Sequence, residues 1–387
     1  MHIPLSSPDI REEDRAAVLR VLDTGDLSLG PRVAAFERAV TQLTGSRYAI
    51  AVNSGTSGLH LCVKAANIGE GDEVITTPFS FVASANCILF ERAKPVFVDI
   101  DPVTFNIDPA KIEAAITPRT KAILPVHVFG RPCALDEIIR IAQKHGLTII
   151  EDSCEAIGAK YRGKAVGTFG QTGVFAFYPN KQMTTGEGGV IVTNDATIAA
   201  RCRSWRNQGR SAVAGFLDHD SLGYNYRLSD INCALGLSQI SRIQEILAAR
   251  SRVAECYDKS LNGLAQIVRP QISEPNSTIS WFVYVVRLND DFSQSDRDRV
   301  IAELKNQGVE CRNYFPSIHL QPLYRKLFGF GPGSFPITEH VSERTMAIPF
   351  FNRLSEKQIS FVCKALQRVT LPLRDKAIPG VHAPLSV

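Results

Sequence analysis

The chain has 387 residues, 44% of them hydrophobic, with 43 basic against 39 acidic side chains. That length suits a large core plus a second, smaller unit, and the near balance of charge gives no reason to expect nucleic acid as a partner. No apolar stretch approaches the length of a bilayer-spanning helix, and nine scattered cysteines without a CxxC pair argue against a disulfide scaffold or a structural zinc site.

The opening MHIPLSSPDIREEDRAA has no basic region followed by a long apolar one, so no secretory signal and no membrane partner are expected, and a reducing cytoplasm is the expected home. Ile10 to Leu22 reads as a helix stopped near Gly25. Arg32 to Leu43 reads as another, with Val33, Phe36, Val40 and Leu43 at helical spacing. YAIAVNSGTSGLHLCVKAA then runs strand, glycine turn, helix. In the turn, Asn53 to Gly58, glycines permit tight curvature, and the N–H groups of the helix start can hold a phosphate. Turns of this kind also occur where nothing binds. It is neither GxxxxGK[ST] nor GxGxxG.

Short apolar strands recur at EVITTP, KPVFVDI, KAILPVHVFG and LTIIEDS, with helices expected over Ala83 to Phe90, Pro109 to Ala115 and Leu135 to His145. LTIIEDS puts Glu151 and Asp152 at the carboxyl end of a strand, the edge where α/β sheets bind ligands. Acids also end strands simply because the chain meets solvent there. FAFYPNKQMTTGEGG follows. Phe175, Phe177 and Tyr178 are expected to form a dry setting for Lys181, and a desolvated lysine amine can act as a nucleophile toward an aldehyde. A lysine in an ordinary loop is the bland alternative.

GGVIVTN is a further strand, and Ile231 to Tyr257 reads as a long helical region with a bend. Beyond it come an alternating strand SWFVYVVRL, a helix from Arg297 to Gln307 ended by Gly308, and a late helix SEKQISFVCKALQRV. These patterns predict an α/β unit over 1–250, a smaller α+β unit over 251–371 and an extended tail over 372–387. A phosphate turn, an acid at a strand end and a lysine in an aromatic, glycine-rich setting, in that order, are what pyridoxal 5'-phosphate chemistry asks of an α/β protein. The acid keeps the ring nitrogen protonated, and the lysine carries the aldehyde and moves the proton.

Several separated motifs, among them GDLSLGPRVAAFE, TTPFSFVASAN, IIEDSCEAIGA, LGYNYRLSDINCALGLSQ and CRNYFPSIHLQPLY, give the chain a second kind of evidence. In order and content it resembles the sugar aminotransferases of the DegT/DnrJ/EryC1/StrS family, from IPLSSPDI to RLSEKQI. The resemblance implies a fold-type I, aspartate-aminotransferase-like architecture: a mostly parallel seven-stranded sheet between helices. It implies that Lys181 bonds the cofactor, that Asp152 pairs with the ring nitrogen and that Phe81 stacks on the ring. Gly55 and Thr56 would hold the phosphate, and Asn225 would reach the phosphate of a neighbouring subunit, which implies a homodimer with shared active sites. Glu155 falls where many members have glutamine or histidine near the cofactor's 3-hydroxyl. Ala176 falls where many have a phosphate-binding serine, so another group must replace that hydroxyl. Arg227, Arg312, Tyr314 and His319 are candidate donor or substrate contacts, a structural histidine being the other reading of His319.

The implied reaction moves an amino group from L-glutamate to a keto group of a nucleotide-linked deoxysugar, with a 4-keto-6-deoxyhexose favoured over a 3-keto sugar. No metal is expected. Relatives with histidine in place of the lysine act as dehydratases, and a non-catalytic regulator that binds cofactor or sugar is a further class. Lys181 and Asp152 argue against both.

Overall fold

A seven-stranded sheet organises the first two-thirds of the chain. In this computed structural model, which describes residues 1–210 and 218–374, its strands lie in the order Tyr48–Val52, Gly189–Thr193, Thr172–Ala176, Thr148–Asp152, Thr120–Ile123, Glu73–Thr76 and Lys94–Phe97. Gly189–Thr193 runs antiparallel to both its neighbours, and the other pairings are parallel. The inner strands are buried along their length, as strands covered by helices on both faces must be. The predicted α/β architecture with a mostly parallel seven-stranded sheet is therefore what the chain adopts.

The covering helices carry local instructions. Leu135–His145 has Asp136 and Glu137 in its first turn, Lys144 and His145 in its last, and left-handed Gly146 as its stop. Both charge sets oppose the helix dipole, and glycine takes the left-handed cap without steric cost. The segment from Pro109 to Ala115 is not an α-helix. It forms two 3-10 turns, Pro109–Lys111 and Glu113–Ala115, because Pro118 pushes Thr117 toward extended backbone and leaves too few residues for two full turns. The long helical region divides at Arg242 into Asp230–Ser241 and Ile243–Ser260.

A second, antiparallel sheet joins Ile267–Val268, Tyr284–Leu288 and Thr345–Ile348. SWFVYVVRL was expected to alternate between core and solvent. Instead Tyr284, Val286 and Leu288 pack into the core of the second unit, while Phe282, Val283 and Val285 join the core of the first, so both faces are buried. The final helix, Glu356–Arg374, runs three residues past Leu371, where the tail was expected to begin, and 375–387 lie outside the described residues. Residue 250 lies inside Ile243–Ser260, and Ile3 pairs with Val309, so the amino terminus packs with the second unit. Among the described residues no helix is long and apolar enough to cross a membrane.

Asp9 ties these parts together. Its carboxylate accepts from Arg242 at 2.9 Å and pairs with Arg11 and Arg353, beside Asp14, which Arg242 also meets at 2.9 Å. Burial works to raise the Asp9 carboxyl, but Arg242, Asn352 and Arg353 outweigh it and hold it below its usual 3.8. A carboxyl depressed on folding contributes stability above its unfolded value and loses it as pH falls through the folded value. Asp9→Ala is therefore expected to cost about 3 kcal/mol near neutrality, the lower end for breaking a buried pair because Arg242 keeps Asp14. Denaturant melts at about pH 7 and about pH 3 check this, because the difference between variant and parent must shrink in acid.

Candidate active site

Three chain segments converge at the carboxyl edge of the large sheet. Val52 and Ala176 both end their strands opposite Gly189. Ser54 then caps the helix Gly55–Ala65, its hydroxyl accepting the Ser57 N–H at 3.1 Å. The first N–H groups of a helix have no acceptor within it and face outward. Two glycines make the convergence possible. A Cβ on Gly55 would lie 2.8 Å from the Ala176 methyl and 2.9 Å from the Cys154 sulfur, and one on Gly189 would lie 2.6 Å from the Ser54 carbonyl oxygen. The result borders a cavity of about 530 Å³ lined by Gly55, Thr56, Phe81, Asp152, Glu155, Ala176, Lys181 and Tyr314 among others.

Strand geometry separates the two acids of LTIIEDS, because successive side chains point to opposite faces. Asp152 lines the cavity. Ser84 Oγ donates to its Oδ2 at 2.7 Å, and the Cys154 N–H to its Oδ1 at 3.1 Å. Ser80 Oγ is 2.8 Å from Ser84 Oγ, which extends the chain of hydroxyls. Glu151 is fully buried on the other face, where the N–H groups of Gly167, Phe169 and Gly170 donate to it at 2.7, 2.6 and 2.6 Å and His127 lies at 3.0 Å. Its work is to fold the 167–170 loop.

Lys181 sits in a loop closed by the Phe177 N–H to Gly188 carbonyl bond at 2.9 Å and the Thr185 N–H to Phe177 carbonyl bond at 3.0 Å. Its Nζ lies 3.4 Å from Glu155 Oε1 and 3.8 Å from the centre of the Phe282 ring. The expected aromatic setting differs in its members. Phe175 and Phe177 point beneath the sheet into a core with Phe36, and the ring over Lys181 is Phe282, which arrives from the second unit. Tyr178 and Phe81 flank the cavity and are 52% and 61% exposed, large apolar faces with room for a flat partner. Burial pushes the Glu155 carboxyl above its usual range, against the pull of Lys181 and of the Phe129 N–H, which donates to Oε2 at 2.9 Å.

The other predicted residues divide. Tyr314 lines the cavity, and burial raises its phenol. Asn225 is exposed and does not line its own chain's cavity. Arg227 donates to Asn207 at 3.0 Å, and Arg312 is exposed; neither borders the cavity. His319 is fully buried, bonds Glu339 at 2.9 Å and packs edge-on to Phe335, and it does not line the cavity, a placement that suits the structural reading of this histidine. Sequence reasoning missed Ser84, Phe282 and Glu187, all of which line the cavity. Ser84 had a signal, its spacing of four from Ser80 at a helix start. Phe282 had none, lying about a hundred residues from Lys181.

The pattern that defines the DegT/DnrJ/EryC1/StrS aminotransferase family matches residues 8–367. The chain belongs to that family. It is similar to the GDP-perosamine synthase of Caulobacter vibrioides, 41% identical over 369 residues that cover 95% of this chain and 98% of the relative. Among solved structures, it superposes on Helicobacter pylori PseC, an aminotransferase involved in the biosynthesis of pseudoaminic acid, with a TM-score of 0.91 at 29% identity, covering 96% of this chain and 99% of that one. The PLP form of Spr1654 from Streptococcus pneumoniae gives a TM-score of 0.92 at 26% identity, covering 98% and 100%.

DegT/DnrJ/EryC1/StrS aminotransferases depend on pyridoxal phosphate. The residues present suit that group. A helix start pinched so closely that a Cβ on Gly55 would fill it offers N–H donors to an anion. A carboxylate oriented by two donors faces the same cavity as Lys181, the only lysine that lines it among the described residues, and an exposed aromatic face stands at the side.

Proposed function

We propose that this chain transfers the amino group of L-glutamate to a keto group of a nucleotide-linked deoxysugar, a 4-keto-6-deoxyhexose in preference to a 3-keto sugar. The observation that carries the reading is the meeting of Lys181, Asp152 and the Ser54–Thr56 turn in one cavity, in a chain 41% identical to a GDP-perosamine synthase. The reading includes pyridoxal 5'-phosphate as cofactor, a homodimer as the working unit and the cytoplasm as its place.

When bound, pyridoxal phosphate supplies an aldehyde for amines and a ring that accepts electron pairs. The protein's part follows from its own groups. Gly55 and Thr56 present N–H donors and a hydroxyl to the phosphate. Thr56 and the helix N-terminus take over from the hydroxyl that Ala176 lacks. Asp152, fixed by Ser84 and Cys154, holds a negative charge for the ring nitrogen. Phe81 offers its exposed face for stacking. Lys181 Nζ would hold the group through its aldehyde, and its amine would carry the proton between the donor's α-carbon and the sugar carbon. Tyr314 meets the substrate in the cavity, and Arg227 and Arg312, outside it, meet the diphosphate or the donor carboxylates.

Support for shared sites comes from Asn225. It is exposed, lies outside its own chain's cavity, and sits in a segment held to Asn53 by a 3.3 Å bond. Mixing Asn225→Ala chains with Lys181→Ala chains is expected to restore activity, because one hybrid site carries neither lesion. No activity in any mixture would reject the shared site. For the substrate, a panel of 3-keto and 4-keto nucleotide sugars run with glutamate and read by mass spectrometry decides the matter. Amination of 4-keto sugars is expected, and turnover of 3-keto sugars alone would overturn the C4 choice.

A further inference from the structure

We propose that Glu155 is the base that takes a proton from the Lys181 amine and so frees Nζ to attack a carbonyl carbon. The inference rests on the proposed function in one respect: that Lys181 is the amine which meets the aldehyde. An ammonium has no lone pair, and something in the cavity must accept its proton before a carbon–nitrogen bond can form.

Geometry singles out Glu155. Its Oε1 lies 3.4 Å from Nζ, the ion pair that the lysine makes among the described residues, and both side chains are largely shielded, 7% and 13% exposed. The groups facing the carboxyl come from every element around it. The Phe129 N–H donates to Oε2 at 2.9 Å. Asp152 and Lys181 act on it through their charges, and it acts in turn on the Cys154 thiol and the Tyr314 phenol. The Phe282 ring shields Nζ from the side, 3.8 Å from its centre. Gln182 fastens the two arms, its amide donating to the Glu155 carbonyl at 2.6 Å and to the Ser280 carbonyl at 2.9 Å, two residues before Phe282.

Chemistry makes this carboxyl a base of useful strength. In a dry site an ion pair loses hydration comparable to what it gains by attraction, so a neutral acid beside a neutral amine competes with the charged pair. Burial and the nearby Asp152 charge raise the proton affinity of Glu155, while Lys181 and the Phe129 N–H limit the rise. A glutamine at this position could accept a hydrogen bond but could not take the proton.

The step balances. Nζ, as –NH3+, gives one proton to Oε1. Its lone pair then forms the bond to the carbonyl carbon, and the carbonyl π pair moves to oxygen, which receives the proton back from Glu155. That oxygen leaves as water with one further proton from nitrogen, and the carboxylate is restored.

The test is the rate at which the full, cofactor-free chain captures added pyridoxal 5'-phosphate, followed by stopped-flow absorbance from about pH 6 to about pH 9. E155Q is expected to slow capture roughly 10²-fold near neutrality, with the rate recovering as the pH is raised and solvent base takes over. E155A is expected to be slow too, and added formate to restore part of its rate by placing a carboxylate in the vacated space. E155D serves as the conservative variant, and circular dichroism melts establish that each variant is folded. Capture by E155Q at the parent rate with an unshifted pH profile overturns the proposal, as does slow capture by E155A or E155D that neither pH nor formate relieves. Borohydride fixation and peptide mapping run alongside. Fixation on Lys181 in E155Q at the parent rate sinks this inference alone, whereas fixation on another lysine brings down the proposed function and this inference with it.

Discussion

Replacing Lys181 with alanine is expected to lower the rate at which the cofactor-loaded protein reacts with glutamate by roughly 10⁴-fold, the upper range for removing a positioned acid–base group. On the proposed reading the side chain does two things that no neighbour can take over together: it holds the aldehyde and it moves the proton. Other lysines exist, but among the described residues that line the cavity Lys181 is the one amine. Deletion also strips Glu155 of the charge that restrains it, since burial already pushes that carboxyl up and Lys181 pulls it down. The variant should therefore hold a neutral Glu155 to higher pH than the parent, which blocks the carboxyl from serving as a substitute base. The fold should survive, because the loop that carries Lys181 is closed by the Phe177–Gly188 and Phe177–Thr185 backbone bonds. Rapid-mixing absorbance at saturating cofactor measures the effect. A rate within tenfold of the parent would mean that the proton moves by another route.

Asp152→Asn is expected to reduce the same rate by about 10²- to 10⁴-fold, the equivalent of the roughly 3–5 kcal/mol that removing one charge from a buried pair costs. The substitution keeps the shape. It removes the charge and leaves one of two donors, Ser84 Oγ or the Cys154 N–H, facing an amide that can accept through one atom only. Loss of affinity for the cofactor and a changed absorbance of its ring should accompany the slower rate. Glu151→Gln offers the contrast. Glu151 lies on the opposite face and serves the 167–170 loop, so that change should lower the melting temperature while sparing the absorbance of the loaded cofactor. Equal spectral damage from both changes would contradict the division of labour between the two acids.

Much of this architecture was legible because it is written locally. Charged first and last turns with a glycine stop mark Leu135–His145, and the glycine turn after YAIAV marks the helix start that meets the cavity. The sequence places an acid at the end of LTIIEDS, and the strand's two-residue period assigns only one of the pair to the cavity. What hides is whatever depends on distant chain. Phe282 reaches Lys181 because the second unit docks against the first, and the alternating pattern of SWFVYVVRL gave no sign that both its faces would be covered. Phe175 and Phe177 lie close to Lys181 in sequence yet face the other side of the sheet, since strand pleating outranks proximity. His319 sits in a family-like motif, but its buried bond to Glu339 suits the structural reading. The candidate substrate segment from Arg206 to Arg227 includes 211–217, outside the described residues.

The central claim is that Lys181 is the residue that holds pyridoxal phosphate. The direct measurement is borohydride reduction of the cofactor-loaded protein, which fixes the cofactor irreversibly to whichever lysine carries it, followed by proteolysis and mass spectrometry. The account predicts one modified peptide, containing Lys181 within FAFYPNKQMTTGEGG, and none after prior conversion of the cofactor by glutamate. Fixation on a different lysine, or no fixation at all on a folded and loaded protein, would contradict it.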